Sequence, residues 1–189
     1  MKKLIEELQA YLPCNAQEKR DREALLAYLN LEALPDPFTR ENPIAHLTAS
    51  AWVTDSSHSR ILMAYHNLYR SWSWLGGHAD GEHDLRLVAE KEVREESGLR
   101  TLRLLTPEIF SLEILTVDGH EKRGQYVTSH LHLNLTYLFE ADPSEPVRCK
   151  PDENAAVTWF PREEAVSRSS EPWFRERIYA KLNEKLLRF

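Results

Sequence analysis

Residues 75–99 read LGGHADGEHDLRLVAEKEVREESGL, a glycine-rich loop that turns into a charged helix. The pattern predicts a helix over 84–97, with Asp84 as its N-cap and Gly98 as the left-handed residue that ends it. At 100° per residue Leu85, Val88 and Ala89 define one stripe, and Glu92, Glu95 and Glu96 continue it. Three carboxylates therefore stand where an ordinary amphipathic helix would place its next apolar residues. Glu92 and Glu96 repel at i, i+4 by a few tenths of a kcal/mol. They also sit at the negative end of the helix dipole, which favours cations. A hard divalent ion would offset both costs, because magnesium binds carboxylate oxygens and keeps several waters. The alternative is a solvated helix laced by Glu90–Arg94 and Lys91–Glu95 pairs. That alternative explains the charge density but not the shared face.

The stretch resembles a Nudix box, whose pattern is G-x5-E-x7-R-E-U-x-E-E-x-G-U with U a bulky aliphatic residue. Gly77, Glu92, Val93, Glu95, Glu96, Gly98 and Leu99 fall in register with it. Two positions depart: His83 stands where the pattern has Glu, and Lys91 where it has Arg. The resemblance implies an α/β fold, an α/β/α sandwich around a mixed sheet. It also implies hydrolysis of a diphosphate linkage in a nucleoside diphosphate derivative, by water attack on phosphorus assisted by Mg2+, with Mn2+ as the alternative ion. Carried over residue by residue, Glu92, Glu95 and Glu96 are the expected metal-binding glutamates. Gly77 is the loop glycine whose backbone oxygen completes the metal shell. The general base is either a box glutamate or a loop carboxylate, with Glu153 as the downstream candidate. Lys91 keeps the charge of the expected Arg but not its planar fork. His83 lacks a hard oxygen; it either shifts metal preference toward manganese or zinc, is backed by Glu82, or only shapes the loop. These two departures motivate a rival expectation, a Nudix-fold module that binds a nucleotide without cleaving it.

A chain of 189 residues fits one domain of ordinary size with an appended segment. The net charge of −6 argues against a surface built to coat polymeric nucleic acid, though not against one metal-bound nucleotide. The N-terminus MKKLIEELQAYLPC has no apolar core of a signal peptide, and no run is long enough for a membrane helix. Cys14 and Cys149 have no CxxC spacing and read as free thiols. The expectation is a soluble, cytoplasmic protein acting on a small-molecule diphosphate, with no membrane partner.

Residues 1–40 read as a helical segment, and 41–189 as the Nudix domain. Leu4, Leu8, Tyr11 and Leu12 mark one short helix closed by Pro13. A second runs from about 16 to 31, and Leu34–Pro35–Asp36–Pro37 breaks the pattern. These helices could support a homodimer or cap the sheet. Residues 46–54 and 60–66 read as a hairpin around a polar turn at 55–58. The loop 67–74 carries Tyr69, Trp72 and Trp74, rings that either stack on a base, at about 1–3 kcal/mol each, or pack internally. Residues 102–115 hold one or two strands around Pro107, and 120–125 a polar loop. The 126–140 strand alternates Leu131, Leu133 and Leu135 with His130, His132, Asn134 and Thr136. His130 and His132 share a face; they line the substrate cleft, or bind zinc should a third ligand converge. A short strand at 155–160, a helical turn at 161–168 and a terminal helix at 172–187 complete the reading. No GxSxG elbow, P-loop or GxGxxG is present, so those reaction classes drop away.

Overall fold

The computed structural model describes all of residues 1–189 except Leu34 and Arg123, together with the side chain of Lys122. Leu34, the first residue of the expected break, and Arg123, inside the expected 120–125 loop, therefore lie outside the described residues. The chain opens with α1 (Lys2–Ala10) and α2 (Ala16–Leu29), the latter capped by the Asn15 side chain, which accepts from the Glu18 amide. The expected hairpin forms as β1 (Ala45–Thr54) and β2 (Arg60–His66). Asp55 ties its turn together, accepting from the backbone amides of Ser59 and Arg60.

The aromatic loop is more ordered than expected. It contains β3 (Ser71–Ser73), and the glycine loop begins as β4 (Leu75–His78). β4 pairs antiparallel with β1, bringing Gly76 opposite Ser50 and Gly77 opposite Ala49. This pairing fills ladder bonds that β1 does not make with β2, so two glycines enter a sheet despite their weak strand propensity. The helix follows as α3 (Leu85–Ser97). Asp84 accepts from the Arg86 amide at one end, and Gly98 adopts φ 72° at the other.

Beyond the helix come β5 (Arg103–Leu104) and β6 (Ser111–Val117), then β7 (His120–Lys122) paired with β8 (Gln125–Val127). The expected polar loop is thus a small hairpin. The long expected strand begins at His130 rather than 126, as β9 (His130–Glu140). β10 (Asn154–Pro161) and α4 (Arg162–Arg168) follow. The terminal helix starts with a π-helical stretch, Phe174–Tyr179, and continues as α5 (Ala180–Leu186).

The main sheet runs β10-β2-β1-β9-β5, with β6 on β9 as well. β1 and β9 are parallel and the other pairs antiparallel, so the sheet is mixed, as expected. Helices cover both faces, giving the α/β/α sandwich. On one face Leu47, Ala49, Leu133 and Leu135 pack with Val88, Ala89 and Val93 of α3. On the other, Trp52, Ile61, Met63 and Leu138 pack with Ile178 and Leu182 of the terminal helix. Burying each large aliphatic side chain contributes about 1.5–3 kcal/mol. Leu4, Leu8, Leu25 and Leu29 enter the first of these layers, so the apolar faces of α1 and α2 are used within the chain.

α2 is also tied to the terminal helix by buried charges. Lys181 Nζ lies 2.8 Å from Glu113 Oε1 and 3.3 Å from Glu18 Oε1, and Lys185 Nζ lies 2.8 Å from the same Glu18 oxygen. Burial alone would raise the Glu18 pKa, but the two ammonium groups win and hold it at about 2. The polar side of β9 is therefore not a solvent face at its centre. Asn134 and Thr136 are buried there and both donate to Glu113.

Candidate active site

α3 sits across β1 and β4, and its packing decides how its glutamates are presented. Leu85, Val88, Ala89 and Val93 are buried, and Glu96 continues that buried line at 4% exposure. Glu92 is half-buried and Glu95 exposed, so the three carboxylates form a graded rim rather than one uniformly buried stripe. The expected Glu90–Arg94 and Lys91–Glu95 pairs both form, at 2.7 and 3.7 Å, on the outer side. One side of the helix is solvated and laced by these pairs, while the other turns Glu92 and Glu96 toward the glycine strand.

Glu96 is held from two directions. Its Oε2 accepts from the Gly76 amide at 2.9 Å and its Oε1 from Asn154 Nδ2 at 2.8 Å. Glu92 lies against Gly77: a Cβ there would stand 2.5 Å from Glu92 Cδ and 2.6 Å from its Oε1. The missing side chain is what lets this carboxylate rest on the strand. Glu153, from the loop before β10, joins the same group. Burial and the nearer carboxylates raise the pKa of Glu92 and Glu96 first, and the Glu153 charge adds to that rise. Lys150 closes the outer edge, with Nζ 3.0 Å from Glu153 and 3.5 Å from Glu95.

The electrostatics of Glu92 and Glu96 are those of wholly or partly buried carboxylates that repel one another, and Lys91 and Lys150 only partly offset the rise at Glu92. Burial, then the neighbouring Glu95, raises the Glu92 pKa. Burial pushes Glu96 up to about 7, against the two hydrogen bonds that favour its charged form. Oxygen-only donors on a helix, beside a strand with no side chain in the way, suit a hard divalent ion such as magnesium. The fit rests on the Gly77 cradle and on carboxylates that repel one another. Glu92 and Glu96 would supply its ligands, with Glu95 at the rim.

Of the two departing positions, His83 lies outside this group and Lys91 sits at its outer edge. His83 stacks on Phe38, with ring centroids 4.2 Å apart and an interplanar angle of 12°. Glu82 accepts from the Asp84 amide at 2.8 Å, which directs it to the helix start. Lys91 pairs with Glu95.

The tryptophans lie with the other helical layer. Trp74 is 9% exposed, edge-on to Phe174 and Tyr179, and its amide donates to the Tyr179 hydroxyl. Of the two expected readings of these rings, base stacking or internal packing, the surroundings of Trp74 are those of packing. Trp72 is half-buried and edge-on to Tyr65 and Phe160. Neither tryptophan is brought to the glutamates.

His130 and His132 are joined by two histidines that sequence reasoning did not place. The parallel register sets His46 opposite His132, and the β1–β4 register sets His78 opposite Thr48. Ring centroids lie 4.9 Å apart for His46–His130, 5.1 Å for His46–His132 and 4.8 Å for His78–His132. Burial, then the neighbouring imidazoles, pushes the His132 pKa down to about 2. Lys150 and Asn154 were likewise missed. Only the approach of the 141–153 loop and the start of β10 to α3 reveals them, and a lone Lys or Asn carries no sequence signal.

The fold is a mixed α/β/α sandwich in which a carboxylate-bearing helix lies on a glycine strand. The chain belongs to the NUDIX domain family, whose profile matches residues 45–182. Solved structures share the fold at low identity. A Nudix hydrolase from M. smegmatis aligns with a TM-score of 0.56 and 14% identity, over 76% of this chain and 87% of that one. The E. coli dihydroneopterin triphosphate pyrophosphohydrolase gives 0.53 and 14%, over 76% and 96%. A C. elegans Ap4A hydrolase gives 0.51 and 16%, again over 76% and 96%. Among curated proteins no sequence matches the chain significantly. Among the described residues no helix is long and apolar enough to cross a membrane.

Proposed function

We propose that this protein is a divalent-metal-dependent Nudix hydrolase that cleaves a diphosphate linkage in a nucleoside diphosphate derivative. The observation that carries the reading is the pair of carboxylates set on the glycine strand, Glu92 against Gly77 and Glu96 accepting from the Gly76 amide. Magnesium, or manganese in its place, would neutralise phosphate oxygens and lower the pKa of the attacking water. The chain's own part is positional. Glu92 and Glu96 present oxygens beside a glycine backbone, and Glu95 adds charge at the rim. The Gly76 amide and Asn154 fix the Glu96 carboxylate, so it needs no reorganisation during reaction. Glu153 is the proposed proton acceptor, held toward the site by Lys150.

The rival reading, a binding module without turnover, finds less support. His83 and Lys91 remove no oxygen donor from Glu92 or Glu96. The names of the similar structures set a panel of polyphosphates, to which sugar nucleotides and NADH are added. With free Cys14 and Cys149, the cytoplasm is the compartment this reading assigns.

The test is hydrolysis of that panel with each metal, in wild type and in Glu96→Gln. Product release in wild type and its loss in the variant is the expected result. Tight ligand binding without product release under every metal would hand the case to the binding module. Undiminished turnover in Glu96→Gln would overturn the assigned site.

A further inference from the structure

The sheet face opposite α3 carries a second group of donors, chemically unlike the carboxylates. Side chains alternate along a strand, so Leu47 and Gly77 face α3, while His46 and His78 face the other way. There His46, His130 and His132 each offer one ring nitrogen, and these nitrogens all lie within 4.8 Å of one another. The three side chains come from two parallel strands in register. Their placement is thus set by the sheet and not by a loop.

The outer contacts decide which nitrogen each ring can offer. His46 Nδ1 lies 3.3 Å from the Asn42 carbonyl oxygen, and His130 Nδ1 lies 2.8 Å from that of Thr128. A carbonyl oxygen only accepts, so both Nδ1 atoms carry the proton and both Nε2 atoms hold a lone pair. This is the arrangement by which a backbone carbonyl orients a metal-ligating imidazole. His46 Nε2 has no hydrogen-bond partner although the residue is only 5% exposed. An orphaned buried acceptor is destabilising, and a bound cation would satisfy it. The Nε2 atoms of His130 and His132 stand 3.1 Å apart. Two ligands at the zinc–nitrogen distance, arranged tetrahedrally, would stand about 3.3 Å apart.

We propose that His46, His130 and His132 form a binding site for a zinc-class divalent ion, separate from the carboxylate site on α3. Three imidazoles suit zinc and its transition-metal neighbours, whereas magnesium prefers oxygen. The half-buried His130 and His132 leave solvent access, so a water completes the tetrahedron. For His132 to join, the proton it shares with His130 Nε2 moves to its own Nδ1.

The full-length chain, stripped with chelator, is titrated with zinc against a chromophoric competitor and with cobalt(II) by visible absorption. Wild type is expected to bind one tight equivalent of zinc and to give the intense cobalt bands of a tetrahedral site. His130→Gln should weaken this binding by more than about 100-fold, since loss of an outer partner alone costs about 10–100-fold. Glu92→Gln with Glu96→Gln should leave it unchanged. A tight zinc site absent from wild type, or lost with the glutamates and kept in His130→Gln, would overturn the proposal. X-ray absorption of zinc-loaded wild type gives an answer even where a variant fails to fold. Imidazole nitrogens in the first shell support the site, and an oxygen-only shell refutes it.

Discussion

Gly77 and Glu92 occupy complementary space: the Cβ that Gly77 lacks would lie 2.5 Å from the Glu92 carboxyl carbon. The atom displaced by any larger residue is the end of a flexible side chain. Gly77→Ala should therefore leave the fold intact while pushing the Glu92 carboxylate off the strand. We expect divalent-ion affinity to weaken by roughly ten-fold or more, about 1.4 kcal/mol. Isothermal titration with manganese measures this, and an unchanged affinity would detach Glu92 from the metal.

Glu96 makes the metal-free protein sensitive to pH in a defined direction. Its folded-state pKa of about 7 lies above the ordinary 4.5. A carboxyl with a raised folded-state pKa stabilises the fold fully below the unfolded pKa, and this contribution is lost as pH rises through the folded one. In chelator, stability should thus decline between about pH 4.5 and 7, by about 3 kcal/mol at most for this group. Urea denaturation across that range reads the slope. Glu96→Gln should flatten it, and should fold, because Asn154 Oδ1 is buried without a partner and an amide flip presents it to the new group. A slope unchanged in that variant would assign the effect elsewhere.

Glu153 is separable from the helix glutamates by kinetics. As the proton acceptor its loss in Glu153→Gln should lower kcat by about 10²–10⁴-fold with little change in KM. Lys150→Ala, which frees Glu153 from its 3.0 Å partner, should produce a smaller loss. A fall of less than three-fold in Glu153→Gln would move the base to the helix.

The buried charges that tie α2 to the terminal helix should be costly to break singly. Lys181→Met leaves Glu113 without its 2.8 Å ammonium partner and Glu18 with Lys185 alone. Removing one member of such a set costs about 3–5 kcal/mol. A urea midpoint within experimental error of wild type would show that the network relaxes around the loss.

The 75–99 stretch was the most legible part of the chain. Asp84 and Gly98 are local capping signals, and the helix between them has the expected bounds within a residue. The hairpin of β1 and β2 was legible for the same reason, since alternation and a polar turn are local properties. The Gly76–Gly77 strand was not, because glycine has little strand preference and forms one here by pairing with β1. Trp74 was ambiguous, and the sequence left stacking and packing as alternatives. An aromatic beside a glycine loop has the same signature whether it meets a ligand or Phe174.

The sequence by itself determined the helix, the spacing of its glutamates and the side of it they share, because an α-helix converts spacing into direction with no outside help. Tertiary structure decided what those glutamates face. Gly77 meets Glu92, and Gly76 and Asn154 hold Glu96, only after β4 docks on β1 and the 141–153 loop returns to α3. It alone assembled the histidines: His46 and His132 are far apart in sequence and become neighbours through the parallel pairing of β1 with β9. Parallel register is a long-range property set by core packing, and no local pattern encodes it.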